Sequence, residues 1–201
     1  YVGADELIKG KKRWCFWLKK ATPVDITGSK ILMKRVEAVR QMRLDSKGKT
    51  TNGYAKVPHL FAQITQPDDV DFLAIPCTSS ERRKYVPIDF LDKSVVASNG
   101  IQIIPHATLY HFGVLTSNVH MAWMRLVGGR MKSDYRYSKE IVYNTFPWPH
   151  PTEGQLNKIK STAQAILDAR SLYPDCSLAD LYNEVTMPVE LRKAHQQNDR
   201  A

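Results

Sequence analysis

Residues 144–154, NTFPWPHPTEG, place prolines at 147, 149 and 151. Each proline fixes φ, removes an amide donor and pushes the residue before it out of the helical region. The run is therefore neither helix interior nor central strand. It reads as a stiff extended connector that divides the chain near residue 150. Beyond it the pattern is helical. TEGQLNKIKSTAQAILDARSLYP opens on a Thr152 cap and repeats Leu156, Ile159, Ala163, Ile166 and Leu167 on one face. SLADLYN and MPVELRKAHQQND begin two more short helices, one capped by Ser177 and the other with Pro188 at a first-turn position.

Before the connector the signals are mixed. KRWCFWL (12–18) reads as an opening strand. SKILMKRVEAVRQMRL (29–44) reads as a helix capped by Ser29, with Ile31, Leu32, Val36 and Val39 as its apolar stripe. DSKGKTTNGY (45–54) reads as a basic polar loop able to close on a ligand. DFLAIPCTSS and IQIIPHATLYHFGVLTS carry β-branched and aromatic runs broken by Pro76 and Pro105, with SNGIQ as the turn feeding the second. SNVHMAWMRLV (117–127) predicts a helix capped by Ser117, burying Val119, Trp123, Met124 and Val127 and ended by Gly128–Gly129. The expected fold class is α+β: a mixed β-sheet domain with a few helices over residues 1–150, then a small helical piece over 151–201.

A hydrophobic fraction of 43% supports a sizeable core. No apolar run is long enough to span a membrane, and the N-terminal residues lack a signal-peptide core. The chain does not begin with Met and reads as a piece of something longer. Three scattered cysteines without a CxxC pair suggest reduced thiols in a cytoplasmic protein. The net charge of +9 is unevenly placed: residues 1–56 hold 14 Lys/Arg against 5 Asp/Glu, and the remainder is balanced. A localised basic surface suits a polyanion, although solubility charge on an exposed helix has the same composition.

The motifs argue against catalysis by this chain. No Walker loop, GxGxxG, HExxH or GxSxG occurs, and the six histidines show no ligand spacing; His106 and His111, five apart on a strand, would face opposite sides. PDDVD (67–71) offers clustered acids for a nuclease-like metal site but, with no E-x-K following nearby, reads as an acidic turn. Two polar clusters remain. SSERRKYVP (79–87) offers serine hydroxyls and arginine forks to a phosphate or a guanine edge; alternatively Glu81 orients Arg82 or Arg83 in a strand-end ion-pair network. GGRMKSDYRYS (128–138) offers Arg130, Lys132 and Arg136 with Ser133 and Ser138 as phosphate contacts; alternatively its cations complement a helix end while Tyr135 and Tyr137 pack.

SSERRKYVP, SNVHMAWMRLVGGRMKSDYRYSKEIVYNTFPWP and YPDCSLADLYNEVTMPVELRKAH, in that order, resemble the C-terminal part of the MmeI-like DNA methyltransferases, the Type IIG/IIL restriction–modification enzymes and their nuclease-less relatives. YVGADELIKGKKRWCFWL resembles the passage from their methyltransferase domain into their target recognition domain. The likeness covers essentially the whole chain. It implies a target recognition domain over 1–150 and a C-terminal helical domain over 151–201. The parent would carry an S-adenosylmethionine-dependent adenine-N6 methyltransferase upstream, with or without a nuclease, in a bacterial-type cytoplasm. No NPPY-type loop or cofactor glycine motif occurs here, so no catalytic, cofactor or metal residue is expected. The implied partners are double-stranded DNA and the upstream methyltransferase domain, and no membrane. Asn99 and Gln102, in the region that varies in the family, are the candidates for reading an adenine edge. Arg40, Arg43, Lys47, Lys49, Ser79, Ser80, Arg82, Arg83, Arg130, Lys132 and Arg136 are the phosphate-contact candidates. The rival expectation is a docking domain of the same enzyme with only minor DNA contact.

Overall fold

A computed structural model describes residues 1–64 and 66–201. In chain order the helices are α1 (Ala4–Lys9), α2 (Pro23–Thr27), α3 (Lys30–Leu44), α4 (Lys49–Gly53), α5 (Leu109–Leu115), α6 (Asn118–Val127), α7 (Glu153–Ser171), α8 (Leu178–Leu181) and α9 (Val189–Asn198). The strands are β1 (Phe72–Pro76), β2 (Thr78–Ser79), β3 (Asp89–Leu91), β4 (Ile101–Pro105), β5 (Gly129–Met131) and β6 (Asp134–Arg136). The class is α+β. Packing divides the chain into one unit of Tyr1–Arg13 with Pro67–Ala201 and a second of Trp14–Gln66.

The larger unit is built on two antiparallel three-stranded sheets, ordered β3-β1-β4 and β2-β6-β5. β1 is buried along its whole length, with Leu73 opposite Phe90 on one side and Ile104 on the other. Cys77 carries the chain from one sheet to the other. Its amide donates to Gly100 O (2.8 Å) and its carbonyl accepts from Tyr137 N (2.9 Å), so one residue ties both sheets. Leu73, Ile75 and Tyr85 share a core with Phe112 of α5, Met121 and Met124 of α6, Ile166 of α7 and Leu191 of α9. The helices after the connector therefore complete the core of the sheets before it. Gly113 permits this closeness: a Cβ there would lie 2.8 Å from Ile159 Cγ2 and 3.1 Å from Asn198 Oδ1.

Capping chemistry set most helix starts. Ser29, Ser117, Thr152 and Ser177 each accept a hydrogen bond from the backbone N–H three residues on. Several expectations are corrected. KRWCFWL forms no strand; Trp14 is 90% exposed. Residues 49–56 are helical, as α4 and a 3₁₀ turn, rather than loop. IQIIPHATLYHFGVLTS is half strand and half helix: Pro105 ends β4, and His111 Nδ1 accepts from Thr108 N (3.0 Å) at the start of α5. His106 and His111 thus do not share a strand. Ile31 (74% exposed) and Val119 (67%) lie outside their helices' buried faces. Pro188 precedes the first residue of α9. A π-helical turn, Lys139–Tyr143, leads into the connector.

In the smaller unit, Arg43 is the structural centre. It is only 8% exposed, and its guanidinium donates to Tyr54 O (2.9 Å), Val57 O (3.0 Å) and Leu60 O (2.7 Å). Trp17 packs against Phe61, ring centroids 5.3 Å apart.

Candidate nucleic-acid interface

GGRMKSDYRYS begins at the end of α6, and its cations lie on the β-hairpin that follows rather than on the helix terminus itself. Gly128 ends α6 with its N–H on Met124 O; a Cβ there would fall 2.4 Å from that oxygen. β5 and β6 pair through Gly129↔Arg136, Arg130↔Tyr135 and Met131↔Asp134, with Lys132 and Ser133 as the turn. β6 then pairs with β2, Thr78↔Arg136 and Ser79↔Tyr135. Directly opposed residues share a face. Ser79, Tyr135 and Arg130 form one face, and Thr78, Arg136 and Gly129 the other.

The three hairpin cations differ. Arg130 is anchored: its guanidinium sits 3.9 Å over the Tyr135 ring, Nη1 donates to Ser133 O (2.9 Å), and Glu81 lies 3.8 Å away. Glu81 therefore faces Arg130, not Arg82 or Arg83. Lys132 is exposed at the hairpin tip with φ 58°, in the left-handed region. Arg136 is exposed beside Gly129, which has open space around it. Tyr135 and Tyr137 are both buried. Tyr137 Oη shares a hydrogen bond with His120 Nε2 (3.0 Å); burial pushes the His120 imidazole down to about 4 and the Tyr137 phenol upward.

Asn99 and Gln102 meet at the junction of the sheets. Asn99 is exposed in the turn before β4, and Gln102 is half-buried on β4. Gln102 Nε2 lies 3.3 Å from Cys77 Sγ, and that thiol is 3.6 Å from Asn99 O. Cys77 immediately precedes Thr78, the partner of Arg136. The Gln102 amide is thereby held beside Cys77, Asn99 is tied there through its backbone carbonyl with its side chain exposed, and Arg136 pairs with the next residue, Thr78. Cys77 was missed in the sequence, because nothing local marks it as the residue shared by both sheets.

The remaining candidates divide by burial. Ser79 is 3% exposed, with its Oγ buried and without a hydrogen-bond partner, so it faces the core, not a phosphate. Arg43 is likewise removed, its donors spent on three carbonyls. Ser80 is half-buried and accepts from Arg82 N (3.4 Å); the Arg82 side chain is exposed. Arg83 is half-buried, and desolvation lowers its pKa against the opposing pull of Asp134. Arg40 pairs with Glu37 at 3.3 Å, and Lys47 and Lys49 are exposed. These last three belong to the smaller unit, which holds 10 Lys/Arg against 3 Asp/Glu. The sequence gives no sign that Arg125 and Arg192 gather with Arg82, Arg83 and Lys84, as they do in the fold. Among the described residues no group of three or more His, Cys, Asp or Glu is placed to hold a metal ion, and no helix is long and apolar enough to cross a membrane.

Comparison with known proteins gives concordant matches. The family model of the MmeI target recognition domain matches residues 1–150, and that of the MmeI C-terminal domain matches 152–201. DNA methyltransferase A of Bacillus subtilis (strain 168) is 36% identical over 199 residues, which is 99% of this chain and 22% of that protein. The solved structure of the Type IIL restriction-modification enzyme MmeI in complex with DNA matches with a TM-score of 0.97 at 49% identity, over 99% of this chain and 26% of that one. The chain thus spans about a quarter of the length of these relatives. It belongs to the MmeI target recognition domain family, with the MmeI C-terminal domain following from residue 152.

Proposed function

We propose that the chain is the DNA target-sequence recognition module of a larger S-adenosylmethionine-dependent adenine-N6 methyltransferase in a bacterial cytoplasm. The observation that carries this reading is the sheet junction. Gln102, whose amide can pair bidentately with an adenine edge, lies against Cys77, the residue before Thr78, which pairs with the exposed Arg136 of the cation-tipped hairpin; Asn99 is exposed in the adjoining turn. Arg82, Lys132 and Arg136 position the duplex through phosphates, and the junction reads bases. The base to be methylated is flipped into a catalytic domain outside this chain, which also holds the cofactor. The DNA complex of the solved relative supports the reading.

A second role is favoured for residues 14–66. Phe16 and Met42 are exposed there and line one groove with Leu18, Leu32, Val36 and Val39, more contiguous apolar surface than a basic phosphate-tracking face needs. We assign this surface to docking against the parent's methyltransferase domain.

The test uses the full-length parent and labelled duplexes with and without its modified motif. Asn99→Ala with Gln102→Ala is expected to lower discrimination between them by roughly 1–3 kcal/mol per lost bidentate pair, leaving the salt dependence unchanged. Intact discrimination would remove the junction as the reading element.

A further inference from the structure

A cleft of about 460 Å³ opens where the Glu81–Tyr85 segment and Arg125 face residues that follow the connector, among them Glu184 and Arg192. Five cations line it: Arg82, Arg83, Lys84, Arg125 and Arg192. Only two carboxylates do, Glu81 and Glu184, and Glu81 is turned toward Arg130. Among the described residues, no ion pair within 4.0 Å holds any of the five cations.

The cations are nonetheless held in place by neutral groups. Arg125 Nη2 donates to Lys84 O (2.6 Å), and Arg192 Nη2 to Met187 O (3.3 Å). Arg83 Nε is buried without an acceptor. The Tyr85 wall is fixed: its Oη donates to Asp199 Oδ2 (2.7 Å) and its ring stacks on His195 with centroids 4.0 Å apart. Like charges gathered in a concavity repel one another, although Asp134 acts on Arg83, and they focus an attractive field on an incoming anion. Planar guanidinium forks match phosphate oxygens in geometry.

We propose that this cleft binds a backbone phosphodiester of duplex DNA, and that the C-terminal helices supply Arg192 to it. The residues after the connector then hold DNA directly rather than only bracing the domain before it. This rests on the DNA-recognition reading above. DNA is favoured over an acidic segment of the parent because Glu81 on the cleft wall contacts Arg130, so the cleft borders the hairpin on which Lys132 and Arg136 are exposed.

The experiment measures affinity of the full-length parent for a labelled duplex against salt concentration, for wild type, Arg192→Gln and Arg82→Gln. Both side chains are exposed, and circular dichroism confirms folding. Each variant is expected to lower the log–log salt slope by about 0.9 and to weaken binding to motif and non-motif duplexes by the same factor. A steep wild-type slope left unchanged by both variants overturns the cleft proposal alone; a flat wild-type slope overturns the DNA reading itself. Lost methyltransferase-domain docking with an unchanged slope assigns the cleft to an acidic segment of the parent and also overturns it. Calorimetric titration with inorganic phosphate at fixed ionic strength should show no binding. Saturable phosphate binding lost in Arg192→Gln, with the duplex slope unchanged, would make the cleft a free-anion site instead.

Discussion

Removing Lys132 and Arg136 together separates holding DNA from reading it. The two are the hairpin cations with no recorded ion pair among the described residues, whereas Arg130 is stacked on Tyr135 and hydrogen-bonded to its own turn. Lys132→Gly is the appropriate change at the tip. The residue sits at φ 58°, where a side chain costs about 1 kcal/mol, so glycine removes the charge while relieving the backbone. Arg136→Gln keeps the polar stem on the rung opposite Thr78. If each cation neutralises one phosphate, the double variant of the full-length parent lowers the log–log salt slope by about 1.8. Raising salt from about 50 to 200 mM then weakens the wild type roughly 12-fold more than the variant, by the same relation. The assay is fluorescence anisotropy on duplexes with and without the modified motif, and the ratio between them should stay constant. An unchanged slope, or a changed ratio, would refute the assignment of this hairpin to backbone positioning.

Arg170 is 8% exposed and donates to Ile88 O (2.9 Å) and the Tyr182 hydroxyl, with Asp89 at 3.5 Å. Arg170→Ala, which takes the donor from the buried Ile88 carbonyl and Tyr182 hydroxyl while Asp89 keeps access to water, should cost about 1–3 kcal/mol and lower Tm in thermal melts by roughly 2–12 °C. His120 and His195 are buried with lowered pKa values, so the unfolded chain binds more protons than the folded one below about pH 6.5. Stability is fully present above that value and is lost as pH falls toward 4; His120 alone should account for roughly 2 kcal/mol between pH 7.5 and 5, read by denaturant titration. Asp89, raised by burial, acts in the opposite sense at low pH. Gly113→Ala should destabilise by about 1–3 kcal/mol because Ile159 and Asn198 occupy the space of its Cβ, while Gly129→Ala, with nothing within 4 Å, should leave Tm within error.

Local chemistry made most of the helices legible. Ser29, Ser117, Thr152 and Ser177 cap the helices they were expected to cap, and Gly128 stops α6 because no other residue clears Met124 O. Non-local contacts were not legible. Arg43 has the same local context as the exposed Arg40, yet carbonyls 11 to 17 residues later bury it. The hairpin turn, Lys-Ser, lacks the Asn-Gly or Asp-Gly signal, and its third strand, β2, lies far earlier in the chain. LYHFGVL is rich in residues that favour strands, but Leu109, Phe112 and Leu115 have helical spacing, and the Thr108–His111 cap decided the outcome. Within the site, charge pointed to Arg82, Lys132 and Arg136. It could not show that Ser79 faces the core or that Arg192 lines a cleft with Arg82.

The central claim is that residues at the sheet junction choose the DNA sequence. Methylome sequencing of cells expressing the full-length parent, with Gln102 unchanged or replaced by Glu, Arg or Ala, tests it most directly. Glu favours a cytosine amino group and Arg a guanine edge, so the account predicts that one position of the modified motif changes while the others persist. A motif identical in every active variant would contradict it.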